Sequence, residues 1–179
     1  SQKIENIEIS LGPEMKSTGE ALGIHDTYLG ALYKGLIGAD IRIPDKNLPI
    51  LCTVKDEDKE SLLNIAKRFK KFGYNFYATK GTTEYLGKNN INCKVVKKIS
   101  EERPNIIDVI KSGKISMVIN TPTKANNSLT DGFKIRRAAV ESNILTLTSL
   151  DTVYALLVVM EADIDKKELN IVELGEIIK

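Results

Sequence analysis

A turn rich in hydrogen-bond donors follows the apolar segment that ends at Ala78, within the sequence ATKGTTEYL. Thr79, Gly81 and Thr82 lie between a predicted buried strand and a predicted short helix. Glycine lets the backbone approach a ligand closely, and the first amides of a helix attract anions. Threonine hydroxyls add further donors. The residue types and their spacing therefore predict an anion site, with phosphate as the favoured ligand class.

Alternating strand and helix patterns predict the elements that position this turn. Apolar, β-rich segments begin at Ile50, Asn75, Cys93, Ser116 and Ile144. The first helix between them has the clearest apolar face, which consists of Leu62, Leu63, Ala66, Phe69 and Phe72, and Gly73 follows its predicted end. Strands that alternate with helices of about 10 to 15 residues indicate right-handed βαβ units. We predict an α/β fold, a three-layer α/β/α sandwich with a mainly parallel sheet of five strands.

Polar residues follow every predicted strand. Ligands of open parallel sheets bind outside the carboxyl ends of the strands, so these residues are expected to line one edge. They are Lys59; Thr79, Gly81 and Thr82; Lys97 and Lys98; Asn120 and Thr121; and Thr146, Thr148 and Ser149. Threonines also end strands without any ligand, and paired lysines often lie on a solvated surface. Their convergence at one edge favours the phosphate site.

Other charged residues near this edge have simpler interpretations. Asp56, Glu57 and Asp58 could supply a general base, but acidic residues before a helix also cap it and complement its dipole. We interpret Arg136 and Arg137 as helix surface or a subunit contact, with phosphate binding as the alternative, and the segment 129–132 as a turn that leads into their helix. No catalytic residue and no metal site is predicted in this chain.

The N-terminal part carries a separate helix pattern. Ser17 and Glu20 have the spacing of a capping box, and a helix is predicted from about Asp26. Its predicted apolar face consists of Leu29, Leu32, Tyr33, Leu36 and Ile37. The two prolines in the stretch from Ile41 to Pro49 indicate a linker.

Composition excludes several functional classes. The chain has 26 basic and 24 acidic residues among 179, a net charge of +2, so no global attraction to nucleic acid is encoded. No apolar run approaches the roughly 20 residues that span a membrane. The single histidine, His25, excludes a histidine triad or zinc site, and Cys52 and Cys93 indicate buried free thiols of a cytoplasmic protein. The N-terminus lacks an initiator Met and is interpreted as a cut within a longer protein.

Several motifs resemble the large subunit of carbamoyl phosphate synthetase. LGPEMKSTGE, at residues 11–20, is similar to the end of its second synthetase half, and KDEDKE, ATKGTTEYL and DGFKIRRAAV match its C-terminal regulatory domain. That domain has a methylglyoxal-synthase-like fold. The resemblance implies three parts: residues 1–40 as the end of the ATP-grasp synthetase half, 41–48 as a linker, and 49–179 as the allosteric domain.

The resemblance also implies roles for matching residues. In relatives controlled by UMP and IMP, the phosphate is bound at the positions of Lys59, Thr79, Thr82 and Lys98, beside Gly81, and Asn120 and Thr121 lie on the ribose or base side. Some relatives have Asn-Thr-Thr where this chain has Asn120-Thr121-Pro122, so nothing is carried over to the third position. Thr148 matches a threonine of an ornithine site, and Thr146 replaces a neighbouring tyrosine of that site.

The resemblance further implies partners, cofactors and pathway. The full-length ligase is expected to use ATP with Mg²⁺ or Mn²⁺ and K⁺, to bind a glutaminase small subunit, and to serve pyrimidine and arginine biosynthesis. The fragment is expected to bind no cofactor, to contribute homo-oligomer contacts, and to contact neither nucleic acid nor membrane. Two alternatives remain open: a methylglyoxal synthase, whose Gly-Gly-Asp and pocket histidine have no match here, and a domain used only for oligomerisation.

Overall fold

The computed structural model describes residues 19–122 and 131–163, with side chains from residue 27 onward within those ranges. The predictions for Ser17, the His25 side chain and residues 11–18 lie outside this part. The chain divides into two compact units, Pro44–Val153 and a second that draws on Ser1–Ile43 and Tyr154–Lys179. No helix in the described ranges is long and apolar enough to cross a membrane.

The N-terminal helix, α1 (Gly19–Gly38), corrects two predictions. It begins at Gly19 rather than near Asp26, because Ala21, Leu22 and Ile24 are compatible with a helix and an internal glycine costs only about 1 kcal/mol. Leu32 and Leu36 are buried, but Tyr33 and Ile37 are 51% and 57% exposed. Tyr33 and Ile37 lie about 100° further round the helix than the leucines, so the buried stripe is narrower than predicted.

Unit Pro44–Val153 contains a five-stranded sheet. Its strands are β1 (Ile50–Thr53), β2 (Phe76–Ala78), β3 (Lys94–Val95), β4 (Met117–Asn120) and β5 (Leu145–Leu147). The helices that connect them are α2 (Lys59–Lys71), α3 (Lys80–Lys88), α4 (Ile106–Lys111) and α5 (Asp131–Glu141), and a short 3₁₀ turn, Asp56–Asp58, precedes α2. A last helix, α6, covers 150–163. Each predicted strand is present within about two residues of its expected start.

The strands are all parallel, in the order β3-β2-β1-β4-β5. Ile50 pairs with Phe76 on one side and with Met117 on the other. The chain thus builds outward from β1 in one direction through β3 and then returns to the opposite side. Right-handed crossovers place α2 and α3 over one face and α4 and α5 over the other. The predicted three-layer α/β/α sandwich is confirmed.

Burial on the two faces follows the alternation of the strands. Leu51 and Val118 point to the side covered by α4 and α5, where they pack with Ile110, Ile135 and Ala139. Residues of opposite parity, such as Ile50 and Met117, are fully buried as well, which is typical of a sheet covered on both faces. The central strands β1 and β4, which end at the carboxyl edge, are therefore packed on both faces.

Helix α2 has the predicted apolar face and the predicted end. Leu62, Leu63, Ala66 and Phe69 are buried, and Phe72 is half-buried at the C-cap. Gly73 follows with a φ of 96°, a left-handed conformation that glycine adopts without strain. The ring of Tyr74 then packs edge-on against Phe69, with centroids 5.3 Å apart. The turn returns the chain to β2 at its amino end.

Candidate anion-binding site

A cleft of ≈ 480 Å³ lies at the carboxyl ends of β1 and β4. This is where the strand order changes direction, the position at which open α/β sheets bind their ligands. The cleft is lined by residues that follow β1 and β4, by Thr79 before α3, by Lys98 after β3, and by the first turn of α5. Five elements that are distant in sequence therefore meet at one polar cavity.

The floor of the cleft is a hydrogen-bonded link between β1, β4 and α5. Asn120 Nδ2 donates to the carbonyl of Thr53, and Asn120 Oδ1 accepts from the guanidinium of Arg136, at 3.4 and 3.1 Å. The hydroxyl of Thr121 accepts from the backbone amide of Lys55 at 3.1 Å. A side-chain amide has two N–H donors, and within the described residues Asn120 Nδ2 is seen to donate to Thr53 alone. The floor is thus held in place by bonds to two other elements.

One wall is the start of α3. Thr79 occupies the N-cap position with an extended backbone, but its side chain makes no capping hydrogen bond. The first amides of a helix have no partners within the helix, so those that follow Thr79 remain available to an anion. Thr83 differs, because its hydroxyl donates to the carbonyl of Ala78 at 3.0 Å. Thr79 and Thr82 are buried, with 8% and 2% of their surface exposed.

Lys59 and Gly81 meet beside this helix terminus. Lys59 is the first residue of α2, and its side chain is only 18% exposed. A Cβ atom added to Gly81 would lie 3.2 Å from Lys59 Nζ. The absence of a side chain at Gly81 therefore leaves room for the ammonium group next to the N-terminal turn of α3.

Lys98 is fixed by the loop between β3 and α4. Its amide donates to Glu101 Oε1 at 2.9 Å, and its carbonyl accepts from the amide of Glu101 at 3.0 Å. The neighbouring Lys97 forms a 2.7 Å ion pair with Glu102. The two adjacent lysines therefore have different environments. Lys98 lines the cleft, and Lys97 is paired with a carboxylate at the surface.

The carboxylate of Asp56 interacts electrostatically with both Lys59 and Lys98. Its carboxylate accepts a 2.6 Å hydrogen bond from Lys59. This bond, the charge of Lys59 and, more weakly, the charge of Lys98 hold the pKa of Asp56 below its usual range. Lys59 and Lys98 lie on different elements, so the fold brings two positive charges to one side of the sheet edge.

The predicted residues fall into three groups. Thr79, Lys98, Asn120 and Thr121 line the cleft. Gly81 and Thr82 belong to the first turn of α3, and Lys59, at the start of α2, places its ammonium group beside that turn. Thr148 lies elsewhere, in a second depression of ≈ 310 Å³ that also includes Lys55, Asp58 and Asp151. Thr146 is not among the residues that line either cavity in the described part of the chain, and its hydroxyl donates to the carbonyl of Ile144 at 3.4 Å.

Sequence reasoning missed three contributors. Asp131 and Gly132 form the first turn of α5 and line the cleft, whereas the sequence predicts a turn over 129–132, of which 129 and 130 lie outside the described residues. Arg136 donates to Asn120, a bond that none of its predicted roles includes. For Asp131 and Gly132 a usable signal existed, because the first turn of a helix that follows a loop after a strand faces the same edge as that strand's end. Asp58 is a smaller correction, since it occupies the N-cap of α2 without a side-chain capping bond.

The cysteines lie away from the cleft and are both free. Cys52 is fully buried in β1, and burial raises the pKa of its thiol. Burial also raises the pKa of Cys93, to about 11. Both thiols are therefore protonated at neutral pH and unreactive as nucleophiles. The prediction of buried free thiols is confirmed for Cys52, whereas Cys93 is free but only partly buried.

Comparison with known families agrees with this geometry. The family profile described as MGS-like domain matches residues 61–148, which include α3, β4 and most of the cleft. Residues 61–148 are an MGS-like domain. The crystal structure of methylglyoxal synthase from Elizabethkingia anophelis NUHP1 superimposes with a TM-score of 0.52 at 19% identity, over 65% of this chain and 80% of that one. At that identity the likeness shows the fold of the MGS-like domain alone.

Sequence relatives are large chains of carbamoyl phosphate synthase. Those of Clostridium perfringens strain 13 and Clostridium botulinum strain Loch Maree are each 49% identical over 174 and 175 residues, 97% and 98% of this chain. That of Agathobacter rectalis is 49% identical over 167 residues, 93% of this chain. The chain spans 16% of the length of each of these relatives. Its homologues are therefore multi-part proteins that include an MGS-like domain.

Proposed function

We propose that this chain is the regulatory segment of a carbamoyl phosphate synthase large chain, and that its MGS-like domain binds a nucleoside monophosphate, UMP or IMP. The observation that carries the proposal is that Lys59 Nζ lies beside Gly81 in the first turn of α3, while Lys98 lines the same cleft as Thr79, the N-cap of that helix. A phosphate dianion needs cations together with directed N–H and O–H donors, and this corner offers both.

The rest of the cleft suits the nucleoside. A volume of ≈ 480 Å³ exceeds what a phosphate alone would fill and is within the roughly 300–1,000 Å³ usual for small-ligand sites. Asn120 and Thr121 form a fixed polar floor on which ribose hydroxyls or a base edge can hydrogen-bond. Asp131, at the start of α5, adds an acceptor for a hydroxyl. Phosphate, ribose and base can thus be contacted by different elements.

The role that follows is control rather than catalysis. An effector changes activity only if it binds the low- and high-activity states with different affinity. In this proposal, the ligase chemistry lies in the remainder of a longer cytoplasmic protein, with ATP, Mg²⁺ or Mn²⁺, K⁺ and a glutaminase small subunit. The product, carbamoyl phosphate, supplies pyrimidine and arginine biosynthesis. The segment itself is non-catalytic and contributes homo-oligomer contacts.

Ornithine is a second candidate ligand, favoured by the composition of the second depression. Asp58 and Asp151 supply carboxylates for ammonium groups, Lys55 supplies a cation for a carboxylate, and Thr148 supplies a hydroxyl. This combination suits a small diamino acid. Its lining differs from that of the main cleft except at Lys55 and Thr121, so the two ligands can be tested separately.

Calorimetric titration of the chain with UMP, IMP, ornithine and N-acetylglutamate tests the proposal. UMP or IMP is expected to bind, and Lys98→Ala to weaken that binding by about 10- to 100-fold, the effect of losing a charged hydrogen bond. Lys97→Ala is the matched control, because it removes the same charge from the adjacent residue, which is paired with Glu102. It should change affinity by less than about threefold.

Two results would contradict the site. One is the absence of UMP and IMP binding at millimolar concentration. The other is unchanged affinity in Lys59→Ala and Thr82→Ala, which remove a cation and a buried hydroxyl from the predicted phosphate corner. Formation of methylglyoxal from dihydroxyacetone phosphate would instead support the enzymatic alternative.

A further inference from the structure

The carboxylate of Asp56 is bound to one of the two lysines of the anion site. Asp56 Oδ1 accepts a hydrogen bond from Lys59 Nζ at 2.6 Å. Within the described residues, this is the one hydrogen bond seen for the Asp56 side chain. The side chain of Asp56 is 88% exposed, whereas that of Lys59 is 18% exposed. The Lys59 ammonium is thus largely buried beside α3, and the Asp56 carboxylate contacts it from the solvent side.

The position of this pair matters because of what lies next to it. The Lys59 ammonium is the group that a Cβ atom at Gly81 would contact, so it is directed toward the first turn of α3. Lys98, from the loop after β3, also acts electrostatically on Asp56. The Asp56 carboxylate therefore interacts with the same two lysines that a bound phosphate would use.

We propose that Asp56 is a built-in competitor for the anion site: its carboxylate neutralises Lys59 while the site is empty and must leave Lys59 for a phosphate group to bind tightly. The inference rests on the proposed phosphate site and adds the residue that sets its affinity. Asp56 thereby favours dianionic phosphate over singly charged carboxylate ligands, since only the dianion gains enough from the two lysines to displace it.

Because Asp56 is exposed, moving its carboxylate away from Lys59 should cost little free energy. A surface ion pair is weak, and a solvated carboxylate that rotates away recovers most of its hydration. If Asp56 stayed in place, it would repel the bound phosphate at close range. Asp56 lies in the 3₁₀ turn Asp56–Asp58, which contains no buried residue, so its side chain is free to move without disturbing the core.

The test is titration of inorganic phosphate and of UMP into the wild-type chain, Asp56→Asn and Glu57→Gln. Asp56→Asn is expected to bind inorganic phosphate about three- to tenfold more tightly than wild type. Glu57→Gln is the matched control, because Glu57 is an exposed carboxylate of the same turn and its substitution removes the same charge as Asp56→Asn does. It should change affinity by less than about twofold. Thermal melting of each variant checks that the fold is retained.

A double variant separates competition from positioning. In a Lys59→Ala background, Asp56→Asn should no longer improve phosphate binding, because the cation for which both anions compete is absent. Unchanged or weaker binding by Asp56→Asn alone would overturn the proposal and assign Asp56 to positioning Lys59. An equal gain in Glu57→Gln would overturn it as well, as would the absence of phosphate binding in both wild type and Asp56→Asn.

The two ligands distinguish this inference from the proposed function. If UMP binds the wild type but Asp56→Asn gains nothing for phosphate, the competitor fails and the nucleotide site stands. If neither UMP nor IMP binds while Asp56→Asn gains affinity for inorganic phosphate, the competitor stands and the proposed effector is wrong.

Discussion

Single residues at the cleft are constrained by their neighbours across the sheet edge. Gly81 is needed because Lys59 from another helix approaches it. Lys98 lines the cleft, whereas the adjacent Lys97 is paired with Glu102. These assignments depend on atoms from elements far apart in sequence. A local motif could suggest an anion site, but the partners decide which lysine serves it.

Gly81→Ala should affect stability and binding in opposite directions. The position is helical and free of positive φ, so alanine should stabilise α3 by up to about 1 kcal/mol. The added Cβ would lie 3.2 Å from Lys59 Nζ and displace the flexible end of that side chain, so UMP affinity should fall by about three- to tenfold.

Gly87→Ala is its control on the same helix. Among the residues that the structure describes, none has an atom within 4 Å of a Cβ added there, so Gly87→Ala should raise stability in the same way and leave binding unchanged. Urea unfolding and calorimetry on the same samples supply both quantities. A loss of affinity in Gly87→Ala, or none in Gly81→Ala, would contradict the role of the close approach.

Among the elements, α4 owes its start to a capping box. Asn105 Oδ1 accepts from the amide of Ile107 at 3.0 Å, and Asp108 Oδ2 accepts from the amide of Asn105 at 2.9 Å. Hydrogen bonds from Arg103 and from the Asn105 backbone hold the pKa of Asp108 below its usual range. The cap closes the loop that carries Lys98, and the amide of Ile106 also bonds the carbonyl of Lys97 at 2.8 Å.

Asn105→Ala should lower the free energy of unfolding by about 1 kcal/mol, the usual cost of losing an N-cap. Asn92→Ala, at an exposed position outside helices and strands, is the control and should change it by less than about 0.5 kcal/mol. The urea midpoint measures both. Equal midpoints in the two variants would show that the cap contributes nothing.

The elements were largely predictable, and the reasons are local. The five strands and their helices follow from apolar runs, helical periods and a terminal glycine such as Gly73. The bond from Arg136 to Asn120 was not predictable, because it depends on how α5 crosses the end of β4. The exposure of Tyr33 and Ile37 was missed for a related reason, since a period marks an apolar face but not how much of it is covered.

For the molecule as a whole, burial of titratable groups makes stability depend on alkaline pH. Burial raises the pKa of Cys93 from 9.0 to about 11, and it raises the pKa of Tyr74 and of Cys52 as well. The unfolded chain releases these protons at lower pH than the folded chain. Their contribution is therefore complete below about pH 9 and is lost as pH rises toward the folded pKa.

Wild type should lose about 1 kcal/mol more stability between pH 8 and pH 11 than Cys93→Ala does, a value reduced from the full pKa shift because Cys93 is only partly buried. The alanine variant lacks the thiol whose ionisation favours the unfolded state, so its curve against pH should be flatter. Urea unfolding under reducing conditions at several pH values measures the difference. Parallel curves would contradict the assignment of Cys93.

The strand order has a consequence for local opening of the sheet. β1 pairs with β2 within one short βαβ unit, but it pairs with β4 across a much longer stretch of chain. The cleft exists only while β1 and β4 are joined, so a ligand there stabilises that seam by mass action. Bound ligand should therefore slow amide hydrogen exchange in β4 more than in β2. Ligand binding would then be measurable as less frequent opening of the pairing between β1 and β4.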